Sequence, residues 1–268
     1  MSRGPVDTVE ISQHRAGPRD VVVIGIPTFG MVPIYFMGRV INLRMPMNRI
    51  VRQVYCIGKE VAAARNEIVA KALEVEVDDP TLRCSHVLFL DDDVLCHQDA
   101  LLKLLQNDRD IVSGLYYTKS SVSTPLVLHG EYDGTATDWT PGDLVDCWAH
   151  GMGLTLIKAD VFRRVRDETA LGVDDYGYPA WFLTTRDSMT VTAAGVPAIM
   201  NQTEDVHFLR RAAAMGYQPC VDTSFEAFAW HFDTKKFVGY PAKQWQEFVE
   251  RSTITWDTSS GPVTWRAA

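Results

Sequence analysis

Three consecutive carboxylates, Asp91-Asp92-Asp93, end the apolar run Val87-Leu88-Phe89-Leu90. An apolar strand that releases acidic residues at its C-terminal end puts them where open α/β sheets bind ligands. Asp91 and Asp93 face one site if the chain leaves the strand as a turn, and their hard oxygens suit Mg²⁺ or Mn²⁺ shared with a diphosphate. No Lys or Arg stands next to them in sequence. Their charges would therefore repel at neutral pH, and a divalent ion would relieve that repulsion. The alternative is a solvated acidic turn in which Asp93 or Asp99 caps the next helix.

A second acidic pair, Glu204-Asp205, follows Thr203 at the start of a helical pattern. It reads either as catalytic carboxylates or as first-turn residues favoured by the helix dipole. His231 lies between Trp230 and Phe232, with Lys235 and Lys236 close behind, an arrangement suited to a loop that folds over a diphosphate. A lone histidine is otherwise a structural residue, and Arg65, taken alone, is a solvated helix residue. Trp181 and Phe182 stand in a stretch without periodicity and offer either platforms for sugar rings or anchors for a long loop. Gly151 and Gly153 bracket Met152 and allow close approach of a ligand or of another strand.

Several elements must position these groups. Residues 1–19 form a loose polar leader, and Val21 to Ile26 is a continuous β-branched run of the buried parallel-strand kind. Arg52 to Ile57 predicts a second strand, followed by a helix with Val61, Ala64, Ile68, Ala72 and Val75 on one face. His86 to Leu90 is the third strand, a helix carries Leu101, Leu102, Leu104 and Leu105, and Ile111 to Tyr117 is the fourth strand. This alternation implies an α/β fold with a mostly parallel sheet covered on both faces. Beyond Tyr117, turn-rich segments punctuate short mixed strands. Leu154 to Ile157 reads as a strand, Asp160 to Arg166 and Glu204 to Met215 as helices, and Glu168 to Pro197 as irregular chain. An amphipathic segment, Ala242 to Arg251, precedes a polar tail.

Composition narrows the classes of function. The chain has 268 residues, of which 46% are hydrophobic and 22% charged, which excludes disorder as the main state. Its net charge is −8 with no Lys/Arg run, against a protein that binds nucleic acid mainly through phosphates. The five cysteines are widely spread, with no CxxC pair, and read as reduced thiols of a cytoplasmic protein. The uncharged stretch Val21 to Gly38 contains Gly25, Pro27, Gly30 and Pro33. It therefore reads as a strand, a turn and a helix start rather than a membrane span. A haloacid dehalogenase-type phosphatase also places DxD after a strand, but at the opening of its domain and with Thr or Val where Leu95 stands here.

In order along the chain, IPTFG, ARN, VLFLDDDV, GMGLTLIKADVF, TEDVHFLRRAAAMGY and WHF resemble a GT-A-type glycosyltransferase, similar to the family 2 enzymes. The resemblance spans Val21 to Phe232 and implies a GT-A-like (Rossmann-like), mostly parallel central sheet flanked by helices, with a mixed acceptor-side half. It divides the chain into the leader, a domain over 20–240 and a C-terminal helix and tail over 241–268. The nucleotide-sugar-binding half is then 20–117 and the acceptor-side half 118–240. It implies a nucleotide-sugar donor, expected to be a UDP-sugar, and a bound Mn²⁺ or Mg²⁺. Pro27, Thr28, Arg65, Asp91, Asp92 and Lys235 would hold the donor, and Asp91, Asp93 and His231 the metal. Asp205, with Glu204 beside it, would be the general base of an inverting transfer, and Gly151, Met152, Gly153, Trp181 and Phe182 would meet the acceptor. One departure stands out: Cys56-Ile57-Gly58 occupies the end of the second strand, where many relatives grip the base with Asp. The acceptor is left open among a glycan, a protein side chain, a metabolite and a hydroxylated DNA base, the last because Arg163, Arg164, Arg166, Arg210 and Arg211 could form a basic face. Two rivals use the same residues: a metal-dependent phosphohydrolase or nucleotidyltransferase, and a non-catalytic carbohydrate-binding protein.

Overall fold

The computed structural model describes residues 18–119, 124–129, 136, 138–193, 196–233, 236–238, 254–258 and 261–265. The first half runs β1 (Arg19–Thr28), α1 (Ile34–Asn42), β2 (Ile50–Ile57), α2 (Val61–Asp78), β3 (Leu82–Leu90), β4 (Val94–Cys96), α3 (Ala100–Gln106) and β5 (Ile111–Gly114). The second half begins with β6 (Val127–Leu128), β7 (Leu144–Asp146), β8 (Ala149–His150), β9 (Leu154–Lys158), α4 (Ala159–Glu168), β10 (Thr185–Ala193) and β11 (Val196–Gln202). It continues with α5 (Glu204–Ala214), β12 (Cys220–Asp222), a 3-10 turn at Phe225–Ala227, β13 (Ala229–Asp233), β14 (Lys236–Val238), β15 (Ile254–Thr258) and β16 (Gly261–Trp265).

Seven strands form the central sheet in the order β2-β1-β3-β9-β5-β12-β7. β1 pairs in parallel with β2 and β3, and β5 with β12. β9 enters antiparallel between β3 and β5, and β7 closes the far edge antiparallel to β12. Five strands therefore point one way and deliver their C-terminal ends to one side. This is an α/β, Rossmann-like architecture with a mixed second half. Val21 to Ile24 and Ile26 are fully buried because apolar layers cover both sheet faces. One layer joins α2, α4 and α5 to the sheet through Ile68, Phe162 and Phe208, and the other brings in α1 and α3 through Phe36, Val40 and Leu101. The side chain of Glu60 caps α2 by accepting from the N–H groups of Ala62 and Ala63 at 2.9 and 3.3 Å.

Three expectations change. The fourth strand stops at Gly114 rather than Tyr117, because the Ala227 carbonyl crosses there and would lie 2.0 Å from a Cβ. The stretch Glu168 to Pro197 holds β10, which pairs antiparallel with β11. Its threonines, alternating with Met189, Val191 and Ala193, carry a strand period that an irregular reading overlooks. In the tail, β15 and β16 form an antiparallel hairpin, while Ala242 to Arg251 lies outside the described residues.

Candidate active site

β3 carries the acidic run to the C-terminal side of the sheet, where a tight turn begins. The Asp91 N–H donates to the Gly153 carbonyl at 3.0 Å, and the Val94 N–H returns to the Asp91 carbonyl at 3.0 Å. β4 then pairs with β13, placing His231 opposite Val94, and the Phe232 N–H donates to the Asp93 carbonyl at 2.6 Å. The turn splays the three carboxylates apart. Asp91 accepts from Arg65 Nη2 at 2.9 and 3.0 Å, Asp92 lies beside Thr28, and Asp93 pairs with Lys119.

This corrects the premise that the run lacks cations. None is adjacent in sequence, but the fold brings Arg65 from α2 and Lys119 from the segment after β5. The carboxylates are neutralised from a distance, so their repulsion alone does not call for a metal ion.

Arg65 is the centre of the site. Its side chain is 2% exposed, and its other terminal nitrogen, Nη1, donates to Glu204 at the start of α5. One guanidinium thus ties the end of β3 to the first turn of α5, with Nε buried and unpartnered among the described residues. Burial opposes its charge, but Asp91, Glu204 and Asp205 overcome that and hold it firmly protonated. Glu204 shares the guanidinium with Asp91. Burial raises its carboxyl above the ordinary range, and neighbouring Asp205 adds to the rise.

Asp205 points elsewhere. It accepts from the Thr203 hydroxyl and from the Val206 N–H, the latter at 2.8 Å. Thr203, in the N-cap position, makes no side-chain cap bond. The two acidic residues therefore divide: Glu204 is a buried counter-ion, and Asp205 is half-buried at the helix tip.

Behind the turn, the Tyr116 hydroxyl accepts from the Gly153 N–H at 2.7 Å, and its ring meets His231 edge-on at 4.9 Å. Burial pushes the Tyr116 hydroxyl well up and the His231 imidazole down. His231 Nδ1 contacts the Tyr117 carbonyl, which can only accept, so this nitrogen carries the proton and Nε2 keeps its lone pair. His150 is alike: Nδ1 donates to the Gly151 carbonyl at 2.8 Å, and the buried Nε2 has no protein partner among the described residues.

The side chains at this turn include the ligand types a divalent ion takes. Asp93 and Asp91 remain partly exposed, and both act electrostatically on His231. Two carboxylates and an imidazole lone pair suit Mn²⁺ or Mg²⁺ shared with a diphosphate, which needs only one or two protein carboxylates. Among the described residues, no group of three or more His, Cys, Asp or Glu side chains gathers closely enough to hold an ion unaided.

Other sequence-derived residues fall differently. Thr28 ends β1 beside Asp92, and Pro27 is buried within the strand opposite Cys56. Lys235 lies outside the described residues. Trp181 and Phe182 are core residues, 1% and 0% exposed, and the Trp181 indole N–H donates to the Phe162 carbonyl at 3.0 Å. Their faces are packed against Phe162 and Phe208, so neither is a sugar platform. Gly151, Met152 and Gly153 form a buried turn, and the close approach the glycines permit is to Tyr116, whose oxygen would lie 2.1 Å from a Cβ on Gly151. That contact serves packing rather than an acceptor. The expected basic face is also neutralised. Arg163 pairs with Glu76 and Asp160, Arg164 with Glu168, Arg166 with Asp167, and Arg211 donates to the Ala180 carbonyl.

Sequence reading missed Lys119, Tyr116 and His150. For Tyr116 and Lys119 the available signal was position, because residues just past the C-terminal end of a parallel strand are the ones a ligand meets, whereas His150, inside β8, carried no such signal.

The fold is a GT-A-like (Rossmann-like) α/β domain. No family model and no curated protein matches the chain. Among solved structures it is similar to the crystal structure of A197 from STIV, with a TM-score of 0.51 and 17% identity over 84% of this chain and 92% of that one. At that identity the likeness shows the fold alone. Among the described residues, no helix is long and apolar enough to cross a membrane.

Proposed function

We propose that this chain is a glycosyltransferase that moves a sugar from a nucleotide-sugar donor, a UDP-sugar first among them, to an acceptor hydroxyl. The observation that carries the reading is the Arg65 bridge, which brings the strand-end carboxylates and the Glu204-Asp205 pair into one site from distant parts of the chain. Thr28 and Asp92 border the donor side, and Asp205 stands at the tip of α5 on the acceptor side. Asp91, Asp93 and His231 would hold Mn²⁺ or Mg²⁺, and the ion, when bound, supplies positive charge for the leaving diphosphate.

In the transfer, Asp205 takes the acceptor proton as the acceptor oxygen bonds to the anomeric carbon. The bond from that carbon to the diphosphate breaks, and the nucleoside diphosphate leaves with the electron pair. Attack opposite the leaving group inverts the anomeric configuration. Lys119, beside Asp93, is a further cation for the departing oxygens. Arg65 cannot reach solvent and acts by positioning. The neutralised arginines of α4 favour a glycan, protein side chain or metabolite over a DNA base as acceptor.

A panel of nucleotide sugars, each incubated with and without Mn²⁺ and then with acceptor pools, tests this. The expected result is metal-dependent release of nucleoside diphosphate from one donor, accelerated by an acceptor that gains the sugar. Release of free phosphate or pyrophosphate without an acceptor selects the phosphohydrolase or nucleotidyltransferase reading. Saturable sugar binding without turnover under any metal selects the binding-protein reading.

A further inference from the structure

Exposed apolar side chains concentrate in one segment of the chain, the loop after β1, α1 and β2. Of the thirteen large hydrophobic residues exposed among the described residues, nine lie between Phe29 and Ile57. Phe29, Met31 and Met47 are 83%, 91% and 104% exposed, and Ile34 and Ile41 are each 74% exposed on the outer side of α1. A large side chain presents about 150–200 Å² when free, so the nine together show on the order of 1,000 Å². A standard interface takes about 800 Å² from each partner.

The topology explains the exposure. Among the described residues β2 is the terminal strand of its sheet, paired with β1 and with no strand on its outer edge. Ile50, Val54 and Cys56 face the α2 layer, whereas α1 packs with β1 and β3 toward β4. Tyr55 and Ile57, on the α1 side of β2, therefore stay 41% and 62% exposed. Such an edge invites another strand, and charges or Pro usually guard against it. β2 has Arg52 alone among charged residues and no Pro.

Composition selects the occupant. Residues 29–58 contain no Lys, Asp, Glu, Ser or Ala, but four Arg, four of the nine Met and four Phe or Tyr. That is the profile of a protein–protein interface: aromatic residues, Met and Arg enriched, and Lys, Glu, Asp, Ser and Ala depleted. A patch for an anionic bilayer would need free basic charge. Here two of the four arginines are held in ion pairs, Arg44 by Asp99 and Arg49 by Asp20, with Ser85 and His86 also on Arg49. The same pairings let two like faces meet with little repulsion.

We infer that a second copy of this chain covers this face, with β2 antiparallel to its counterpart about a two-fold axis. Each strand completes the other's open edge, and the patch becomes self-complementary, as a two-fold interface requires. The interface abuts the loop after Thr28, since Gly30 packs against Ile57. It is independent of the catalytic reading.

Sedimentation velocity of the full chain across the micromolar range is the test. The wild type is expected to be dimeric. Combined Tyr55→Glu and Ile57→Glu substitution should raise the dimer dissociation constant at least about tenfold, with the circular dichroism unchanged. Leu144→Glu, 39% exposed on β7 at the opposite end of the sheet, should leave association unaltered. Should the double variant misfold, hydrogen exchange of the β2 amides in the wild type replaces it, and exchange should slow as concentration rises. A monomer at every concentration overturns the inference, and so does a dimer that neither changes with the substitutions nor protects β2. A monomer that sediments with phosphatidylglycerol vesicles would reassign the face to a lipid surface.

Discussion

Two buried charge centres sit two residues apart on α2, and they are mirror images. Arg65 is a cation between two carboxylates, and Glu67 is a carboxylate between two ammonium groups, Lys59 and Lys71, each at 2.6 Å. They differ in reach. Arg65 joins Asp91 and Glu204, respectively 26 and 139 residues away. Glu67 gathers local partners, its farthest being the Cys56 thiol 11 residues back. Lys59 also sits 3.8 Å from the centroid of the Tyr176 ring. A buried ion pair is weak support for stability in general, because desolvation offsets its attraction. The Glu67 centre fastens a helix to its own entry loop, whereas the Arg65 centre holds β3, α2 and α5 together where a ligand would bind.

The strongest way to break this comparison is Arg65→Met. Removing the guanidinium leaves two carboxylates in a buried site, a change that costs about 3–5 kcal/mol, and turnover should vanish with it. Urea unfolding measures the first and donor turnover the second. Arg65→Lys keeps the charge but loses the fork that serves two carboxylates at once, so intermediate stability is expected. If Arg65→Met unfolds at the wild-type urea concentration, the bridge does not hold the site together.

Next comes the division of the acidic pair. Asp205→Asn should slow turnover about 10²- to 10⁴-fold, while its stability changes by no more than about 1 kcal/mol. Glu204→Gln should do the reverse, loosening the Arg65 bridge with a smaller loss of rate. Steady-state kinetics and thermal melts of the two variants decide between them. Loss of turnover in Glu204→Gln alone would move the base to the other residue.

The two centres on α2 were not equally legible in sequence. β1, α2 and β3 were legible because β-branched runs and apolar steps of three and four are local patterns, and the acidic residues were legible as chemistry. The insertion of β9 was not. Leu154 to Ile157 is plainly apolar, yet nothing in that run encodes an antiparallel place between β3 and β5. The Arg65 bridge was hidden for the same reason, since an arginine in ARN carries no mark of a partner 139 residues on. Trp181 and Phe182 misled because a buried aromatic and a sugar platform have the same letters, and only packing tells them apart. Glu67 and Lys71, four apart on one helix, could have been paired from spacing alone.

A third test concerns His150, which packs near Asp205 and is held neutral. Burial lowers its pKa from 6.5 to about 4. An unfolded chain takes up that proton below about pH 6.5, while the folded one refuses it until about pH 4. Stability is therefore fully present above pH 6.5 and lost as pH falls, by up to about 3 kcal/mol for this residue. His86, lowered to about 4 by burial and by Arg49, acts in the same window. His150→Gln should flatten the acid limb without abolishing it, as read from urea midpoints between neutral pH and pH 4.5.

The smallest expected effect belongs to Glu67 and tests whether the local centre is only structural. Burial opposes its ionisation, but hydrogen bonds from Cys56, Lys59 and Lys71 overcome this and bring its pKa down from 4.5 to about 2. The sign follows from proton uptake. Between pH 4.5 and 2 the unfolded chain binds a proton that the folded chain does not, so this stability exists above pH 4.5 and is lost on acidification. The window lies below that of His150, so the two contributions separate in one titration. Lys71 is 43% exposed, and its share is screened by water. Glu67→Gln is accordingly expected to cost about 1–2 kcal/mol at neutral pH, to reduce the stability change below pH 4.5 without abolishing it, since Asp79, Asp108 and Asp160 are also lowered, and to leave donor turnover within about twofold of the wild type. A large loss of turnover would mean that the two centres on α2 are coupled through the helix, and that the contrast between a local staple and a site-building bridge does not hold.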